Sequence, residues 1–192
     1  MNRVFKRFLK AETGAAAVEA VFILPFLCVV FFGMHDFMAL VTFNRKITQT
    51  SAMISDTIAQ YQSTIARSDI TDIYMAVGLI MQPTSSSDVR VNVYGYYLNG
   101  STPTIRWQVN NGGGPTCAAP DTSNFTTLMS AGNDLVVAVS CMTYTPWIAT
   151  FLGQSLMGAS TFALSQTIAS RPRASLTLNC VTASGGSTAC TS

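Results

Sequence analysis

The feature that most constrains this chain is the run from Ala15 to Met34, twenty residues whose only charged member is Glu19. As a helix, such a run rises about 30 Å, the thickness of the hydrocarbon layer of a bilayer. The wider stretch GAAAVEAVFILPFLCVVFFGMHDFMALVTF, from Gly14 to Phe43, is the only segment apolar enough to leave water. It carries a carboxylate where a membrane helix tolerates one poorly. A secretory signal peptide is the competing reading. That requires a shorter apolar core and a small-x-small cleavage site, whereas this run ends in Met34, His35 and Asp36 and then resumes with Phe37 to Phe43. Pro25 removes one backbone donor, so bending is expected there, and Gly33 and the His35-Asp36 pair are candidate break points.

Charge sets the orientation. Arg3, Lys6, Arg7 and Lys10 against Glu12 give the first twelve residues +3, which leaves −1 for the rest of a chain of net charge +2. A basic leader ahead of a single span predicts a cytoplasmic N-terminus by the positive-inside bias. The other basic residues are scattered and make no nucleic-acid footprint. With 10% charged and 48% hydrophobic residues, the composition fits one membrane segment joined to a weakly charged domain.

The five cysteines divide in the same way. Cys28 lies in the apolar segment, while Cys117, Cys141, Cys180 and Cys190 lie beyond it, an even number on the side where disulfides persist. No CxxC spacing suggests a zinc ribbon. Three pairings are open, with the neighbours Cys117–Cys141 and Cys180–Cys190 preferred.

Beyond Phe43 the period changes. Ile47, Ile54, Ile58, Tyr61 and Ile65 mark one face of an amphipathic helix, with Gln49, Ser55, Gln62 and Arg67 off that stripe. The membrane helix is therefore expected to continue to Ala66, roughly 78 Å in all if unbroken. A second helix, capped at Ser68-Asp69, would carry Ile70, Ile73, Val77 and Ile80 on one face and end before Pro83. From Asp88 alternation takes over. Val89, Val91 and Val93, then Ile105, Trp107 and Val109, predict a hairpin turned at Asn99-Gly100-Ser101. A short helix over Thr122 to Ala131, capped near Asp121, precedes two further strands at Leu135 to Thr143 and Phe162 to Ala169, the former more apolar and so more central. TPWIATFLGQSLMG between them reads as a loop over the sheet or against the membrane surface, and LTLNC as a short last strand.

Catalytic chemistry finds little material. There is no GxSxG, no HExxH and no second histidine, so a hydrolase is disfavoured and no cofactor or metal is expected. His35 and Asp36 read as a solvated pair near the outer end of the span. Gly112 to Gly114 lacks the lysine and the strand-to-helix context of a phosphate loop and reads as a flexible connection. Trp107, Trp147 and the tyrosines at 94, 96 and 97 read as core and sheet cover before they read as a ligand face.

Gly14, followed after four residues by Glu19 at the boundary between the basic leader and the apolar helix, resembles the processing site of type IV prepilins. More closely, GAAAVEAVFILPFL resembles the N-terminal signature of the TadE/TadG family of pilus assembly proteins. FNRKITQTSAMISDTIAQ, ITDIYMAVGLIMQP, NDLVVAVSCMTYTPW and SRPRASLTLNC are similar to later parts of such chains. The resemblance implies cleavage between Gly14 and Ala15 by a membrane prepilin peptidase, and pairing of the new Ala15 ammonium with Glu19 of a neighbouring subunit. Ala20 departs from the tyrosine that often follows the glutamate in pseudopilins of this system, which keeps an uncut TadG-like scaffold as an alternative. An anchored periplasmic binding or sensor domain is the third reading.

The expectation is thus an α+β, pilin-like chain of the bacterial inner membrane. Residues 1–14 form a cytoplasmic leader, 15–43 a transmembrane helix, 44–82 an extracytoplasmic helical region and 83–192 a periplasmic β-rich domain with an antiparallel sheet of about four strands. Its expected role is structural, as a minor pseudopilin or assembly factor of a tight-adherence (Tad/Flp) pilus. Its implied partners are other Tad pilins and pseudopilins, inner-membrane assembly proteins and the prepilin peptidase, with no nucleic acid.

Overall fold

The structure, a computed structural model, describes residues 13–152, 161–173, 176–181 and 190. The chain divides into two compact units, Met1–Leu40 with Thr145–Ser160, and Val41–Tyr144 with Thr161–Ser192. Helix α1, Thr13–Ala59, gives its N-terminal part to the first unit and its C-terminal part to the second. It passes through Pro25, Gly33 and His35-Asp36 without losing helical conformation, so neither candidate break point interrupts it.

In the second unit α1 is followed by β1 (Thr64–Ala66), α2 (Arg67–Met81), β2 (Val89–Asn99), β3 (Thr102–Asn110), a 3-10 turn (Thr122–Leu128) and β4 (Leu135–Tyr144). β5 (Phe162–Ser170) and β6 (Asn179–Val181) complete it. Strands β2 to β5 make an antiparallel sheet in the order β3-β2-β4-β5, which is the α+β layout that the alternating segments predict. β4 is buried along its length except at Thr143, as its nearly unbroken apolar sequence requires of an interior strand. Gly100, at φ +66°, makes the two-residue turn between β2 and β3.

One face of the sheet is covered by the end of α1 and by α2. Ile47, Ile54 and Ile58 of α1 and Ile70, Tyr74, Val77 and Met81 of α2 join Val89, Val91, Val93, Trp107, Val109, Val136 and Ala138 in one core. Each isoleucine taken out of water contributes about 1.5–3 kcal/mol. The buried face of α1 is wider than the apolar stripe, because Ser51 and Ser55 are buried as well. Ser51 Oγ donates to the Gln166 carbonyl at 3.2 Å and Ser55 Oγ to the Val136 carbonyl at 3.4 Å. The hydroxyls are short enough to let the helix approach the sheet and polar enough to be satisfied there. The stripe of α2 is also rotated from expectation, with Tyr74 and Met81 buried and Ile73 and Ile80 only half-buried. Ala66, not Ser68-Asp69, stands at its N-cap.

Helix α1 stops at Ala59, seven residues short of the expected Ala66. Gln60 and Tyr61 tighten the last turn by donating to the Thr57 and Ile58 carbonyls, and the Arg173 N–H takes the Ala59 carbonyl at 2.9 Å. Ile65, expected on the helix, is buried in β1, which pairs in parallel with β6 through Ile65 and Cys180. The helical region expected over 44–82 therefore contains a strand, because the tail of the chain offers it a partner.

The alternation expected over Ile105, Trp107 and Val109 breaks at a bulge. Gly95 pairs with Trp107 but Tyr96 pairs with Ile105, so Arg106 has no partner residue on β2. A one-residue slip reverses the faces beyond it. Ile105 is consequently 44% exposed while Trp107 is 1% exposed. Arg106 is turned toward the buried Asp134, with Nη2 3.1 Å from Oδ1 and Nε 3.1 Å from Oδ2, and it lies 4.6 Å from the centre of the Tyr97 ring. Asp134 Oδ2 also accepts from the Leu178 N–H at 2.8 Å, and Trp107 Nε1 donates to the Leu178 carbonyl at 2.8 Å. These contacts hold the last strand against the sheet.

On the opposite face Tyr94, Tyr96, Leu135, Val137 and Val139 form a second core with Cys117, Cys141 and Met129. Cys117 is disulfide-bonded to Cys141 and Cys180 to Cys190, while Cys28 is free. The first bridge fixes the loop after β3 to β4. That loop is held closely rather than loosely: Gly114, at φ +62°, lies where a Cβ would overlap the backbone of Val89 and Arg90, and its N–H donates to the Ser87 carbonyl at 2.6 Å. Only glycine combines that φ with that approach. Thr122 to Leu128 winds as a 3-10 turn and not the expected helix to Ala131. Hydrogen bonds from the Ser123 hydroxyl and from the Ser123 N–H, the latter 3.0 Å from Oδ1, hold the exposed Asp121 carboxyl below its ordinary value.

Two outcomes follow. A Cβ at Gly95 would overlap the Trp107 indole. Gly95→Ala in a Trp147→Phe background is expected to lower unfolding stability by about 1–3 kcal/mol, the range for overpacking, and to shift Trp107 emission to the red. An unchanged denaturation midpoint would show that the indole is not seated over Gly95. Burial, with Tyr94 beside it, pushes the Tyr96 hydroxyl up to about 12, against about 10 in an unfolded chain. Its contribution to stability is therefore complete below about pH 10 and declines as pH rises from there toward the folded value, because the unfolded chain ionises first. Tyr96→Phe should flatten that part of the pH–stability profile, and a slope equal to wild type would exclude Tyr96 as its source.

Candidate functional site

Within the first unit, the first turns of the apolar helix are exposed among the described residues. Val18, Val21, Phe22, Ile23, Leu24, Phe26 and Leu27 are each more than half exposed, and these near-consecutive positions take in every side of the helix. No part of its most apolar eighteen-residue window is buried within the protein. An all-round apolar surface is the pattern of a helix buried in protein or in a membrane. α1 is thus one helix long and apolar enough to cross a membrane, and the two disulfides suit an oxidising compartment.

Glu19 is exposed on this surface. Thr13, Gly14 and Ala15 already belong to the helix, so Ala15 and Glu19 stand four residues apart, one turn along the same face. A positive charge at Ala15 would be a near neighbour of the carboxylate. Gly14 lies on the preceding position.

At the other end of the apolar stretch the structure corrects the reading of Asp36 as solvated. Asp36 is 4% exposed. Its Oδ1 accepts from the Trp147 N–H at 2.9 Å and its Oδ2 from the Ile148 N–H at 2.7 Å, at the start of α3, Trp147–Leu152. Residues 147–152 of the segment read as a loop are therefore helical, and 153–160 lie outside the described residues. The carboxylate satisfies two of the N–H groups that a helix start leaves without intrahelical partners. Gly33, one turn before Asp36, faces the same segment, and a Cβ there would stand 3.6 Å from Ile148 Cδ1. His35 keeps an exposed side chain, its ring 6.4 Å from that of Trp147. Sequence reasoning missed this joint. The available signal was Pro146-Trp147, since proline is favoured where a helix begins, together with one isolated acid in an apolar run.

A separate open groove of about 650 Å³ in the second unit is lined by Arg67, Thr71, Tyr74, Met75, Ser87 and residues 109–113. Tyr74 donates its hydroxyl to the Val109 carbonyl at 2.9 Å, and burial raises its pKa far above the ordinary value, so it remains a neutral donor. Hydroxyls, amides and one guanidinium share this groove with the apolar Met75 and Val109, and its lining residues include no nucleophile–base pair. Among the described residues no group of three His, Cys, Asp or Glu is placed to hold a metal ion. Trp107 and the tyrosines at 94 and 96 are core residues, whereas Trp147 is exposed.

Comparison with protein-family models, with curated proteins and with solved structures finds no match to this chain. The residues themselves carry the functional argument.

Asp36→Ala leaves the Trp147 and Ile148 N–H groups without this acceptor. The cost expected is about 1–3 kcal/mol, that of a buried donor left unpaired, and it should appear as faster proteolysis between Thr145 and Ser160. A cleavage rate equal to wild type would show that Asp36 does not hold this segment.

Proposed function

We propose that this protein is a membrane-anchored structural component of a Tad/Flp-type pilus system, either a minor pseudopilin or an assembly factor. The observation that carries the reading is the position of Glu19: an exposed carboxylate on an uncovered apolar helix, one turn from Ala15 on the same face and five residues after Gly14. An isolated carboxylate at that place is disfavoured in lipid unless something pairs with it. Cleavage after Gly14 creates the partner, because the new N-terminus of Ala15 is an ammonium.

In this reading the basic leader holds residues 1–14 in the cytoplasm, the helix crosses the inner membrane, and the disulfide-bonded α+β domain lies in the periplasm. A prepilin peptidase removes the leader. The helix then packs among those of other pilins and pseudopilins, where contact area supplies attraction and the Ala15–Glu19 charge pair sets the register. Support comes from the apolar surface that no described residue buries and from the even set of cysteines after it.

A second reading, the uncut TadG-like scaffold, is favoured by Ala20 in place of tyrosine. Intact mass of the membrane-extracted protein separates the two. The pseudopilin reading expects a chain beginning at Ala15, full-length chain for Gly14→Leu, and a Glu19→Ala variant that is cut but does not assemble into fibre. A wild-type protein that retains Met1 would abandon cleavage and leave the scaffold.

A further inference from the structure

We infer that Trp147 and the helical turn it begins form a second membrane contact, seated in the lipid headgroup layer at the end of the apolar helix away from Glu19 and held there by Asp36. The inference rests on the reading of α1 as a membrane helix. Its own basis is the joint described within the first unit.

Asp36 receives the Trp147 and Ile148 N–H groups at 2.9 and 2.7 Å, which fixes Trp147 at the level of Asp36 along the helix. Ala15 to Asp36 is twenty-one residue steps, a rise of about 32 Å, close to the roughly 30 Å of a hydrocarbon layer. Trp147 is therefore placed at the far boundary of the layer that the helix fills. The depth also follows from chemistry. The His35 side chain is 58% exposed at the same level and requires water or headgroups, and the backbone of a six-residue helix has too many free polar groups to sit in hydrocarbon.

Lipid is the occupant that the surface itself indicates. Trp147 is 65% exposed, and Met34 and Phe37 of the helical turns on either side of Asp36 are also mostly exposed. An indole has an apolar body and one N–H donor, the combination that concentrates tryptophan at membrane interfaces. Ile148, buried beside Gly33, points the other way and packs against the helix. The segment is thus two-sided, with Ile148 toward the helix and Trp147 outward. Asp36 is a positioning residue in this arrangement: its carboxylate is satisfied by the segment that it holds.

The test uses the full-length protein in vesicles of phosphatidylethanolamine and phosphatidylglycerol, with flotation to report insertion and brominated phospholipids to report depth. Wild type is expected to float and to lose tryptophan emission more strongly with bromines near the glycerol end of the acyl chains than with bromines near the chain ends. Trp147→Phe, which retains the buried Trp107 as a control for folding, should float and lack that component. Asp36→Ala should float with the shallow quenching diminished.

Floating protein whose Trp147 emission is untouched by either lipid, or is quenched more by the deep bromines, would overturn the inference and leave the membrane helix standing. Quenching that fades as the protein-to-lipid ratio rises would put a second copy over Trp147 and likewise overturn it. Failure of wild type to float would instead overturn the membrane reading, and this inference with it.

Discussion

The burial of Ile47, Ile54 and Ile58 against β2 and β4 is the contact on which the domain depends. The inner face of the sheet is built from Val89, Val91 and Val93 of β2, Val136, Ala138 and Met142 of β4, and Trp107 and Val109 of β3, and the end of α1 and α2 together cover it. On α1, Ser51 and Ser55 bond to sheet carbonyls where a larger polar residue would hold the helix off. The N-terminal part of the same helix has the reverse problem, with apolar side chains on all sides that none of the described residues buries. A single element thus serves two environments, and the two compact units divide it between Leu40 and Val41.

Two buried carboxylates do comparable work in the two units. Asp134 receives Arg106 and the Leu178 N–H, which ties the bulge in β3 to the tail of the chain. Asp36 receives two N–H groups of α3. In both cases a charged group taken from water is stabilised by donors that come from distant sequence, so each acts as a joint between segments. Removing either one leaves partly or fully buried donors without that acceptor, which costs more than the net worth of the hydrogen bonds themselves.

Much of the layout was legible in the residues. The twenty-residue apolar run, the alternating valines of β2, the Gly100 turn and the apolar sequence of β4 are signals that operate over a few neighbours, and local physics suffices to read them. The bulge at Arg106 was not legible, because a register shift depends on the partner strand and leaves the alternation of β3 intact on paper. Nor was the end of α1 at Ala59: Ile65 keeps the helical spacing, and only the presence of β6 as a strand partner turns it into β1. The candidate site divides along the same line. Gly14, Ala15 and Glu19 form a local pattern that can be read from neighbouring residues, whereas the Asp36–Trp147 joint spans 111 residues and cannot.

What the sequence by itself determined was the presence of one membrane-compatible helix with a carboxylate near its start, an α+β domain with four antiparallel strands, and an even set of cysteines beyond the helix. These follow from side-chain polarity and short-range periodicity, which the chain carries whatever its fold. Only the tertiary structure decided which cysteines meet, where α1 ends, which face Ile105 takes and what becomes of Asp36. Each of those depends on a partner far along the chain, and the free energy of such a contact exists only once the fold has brought the two together.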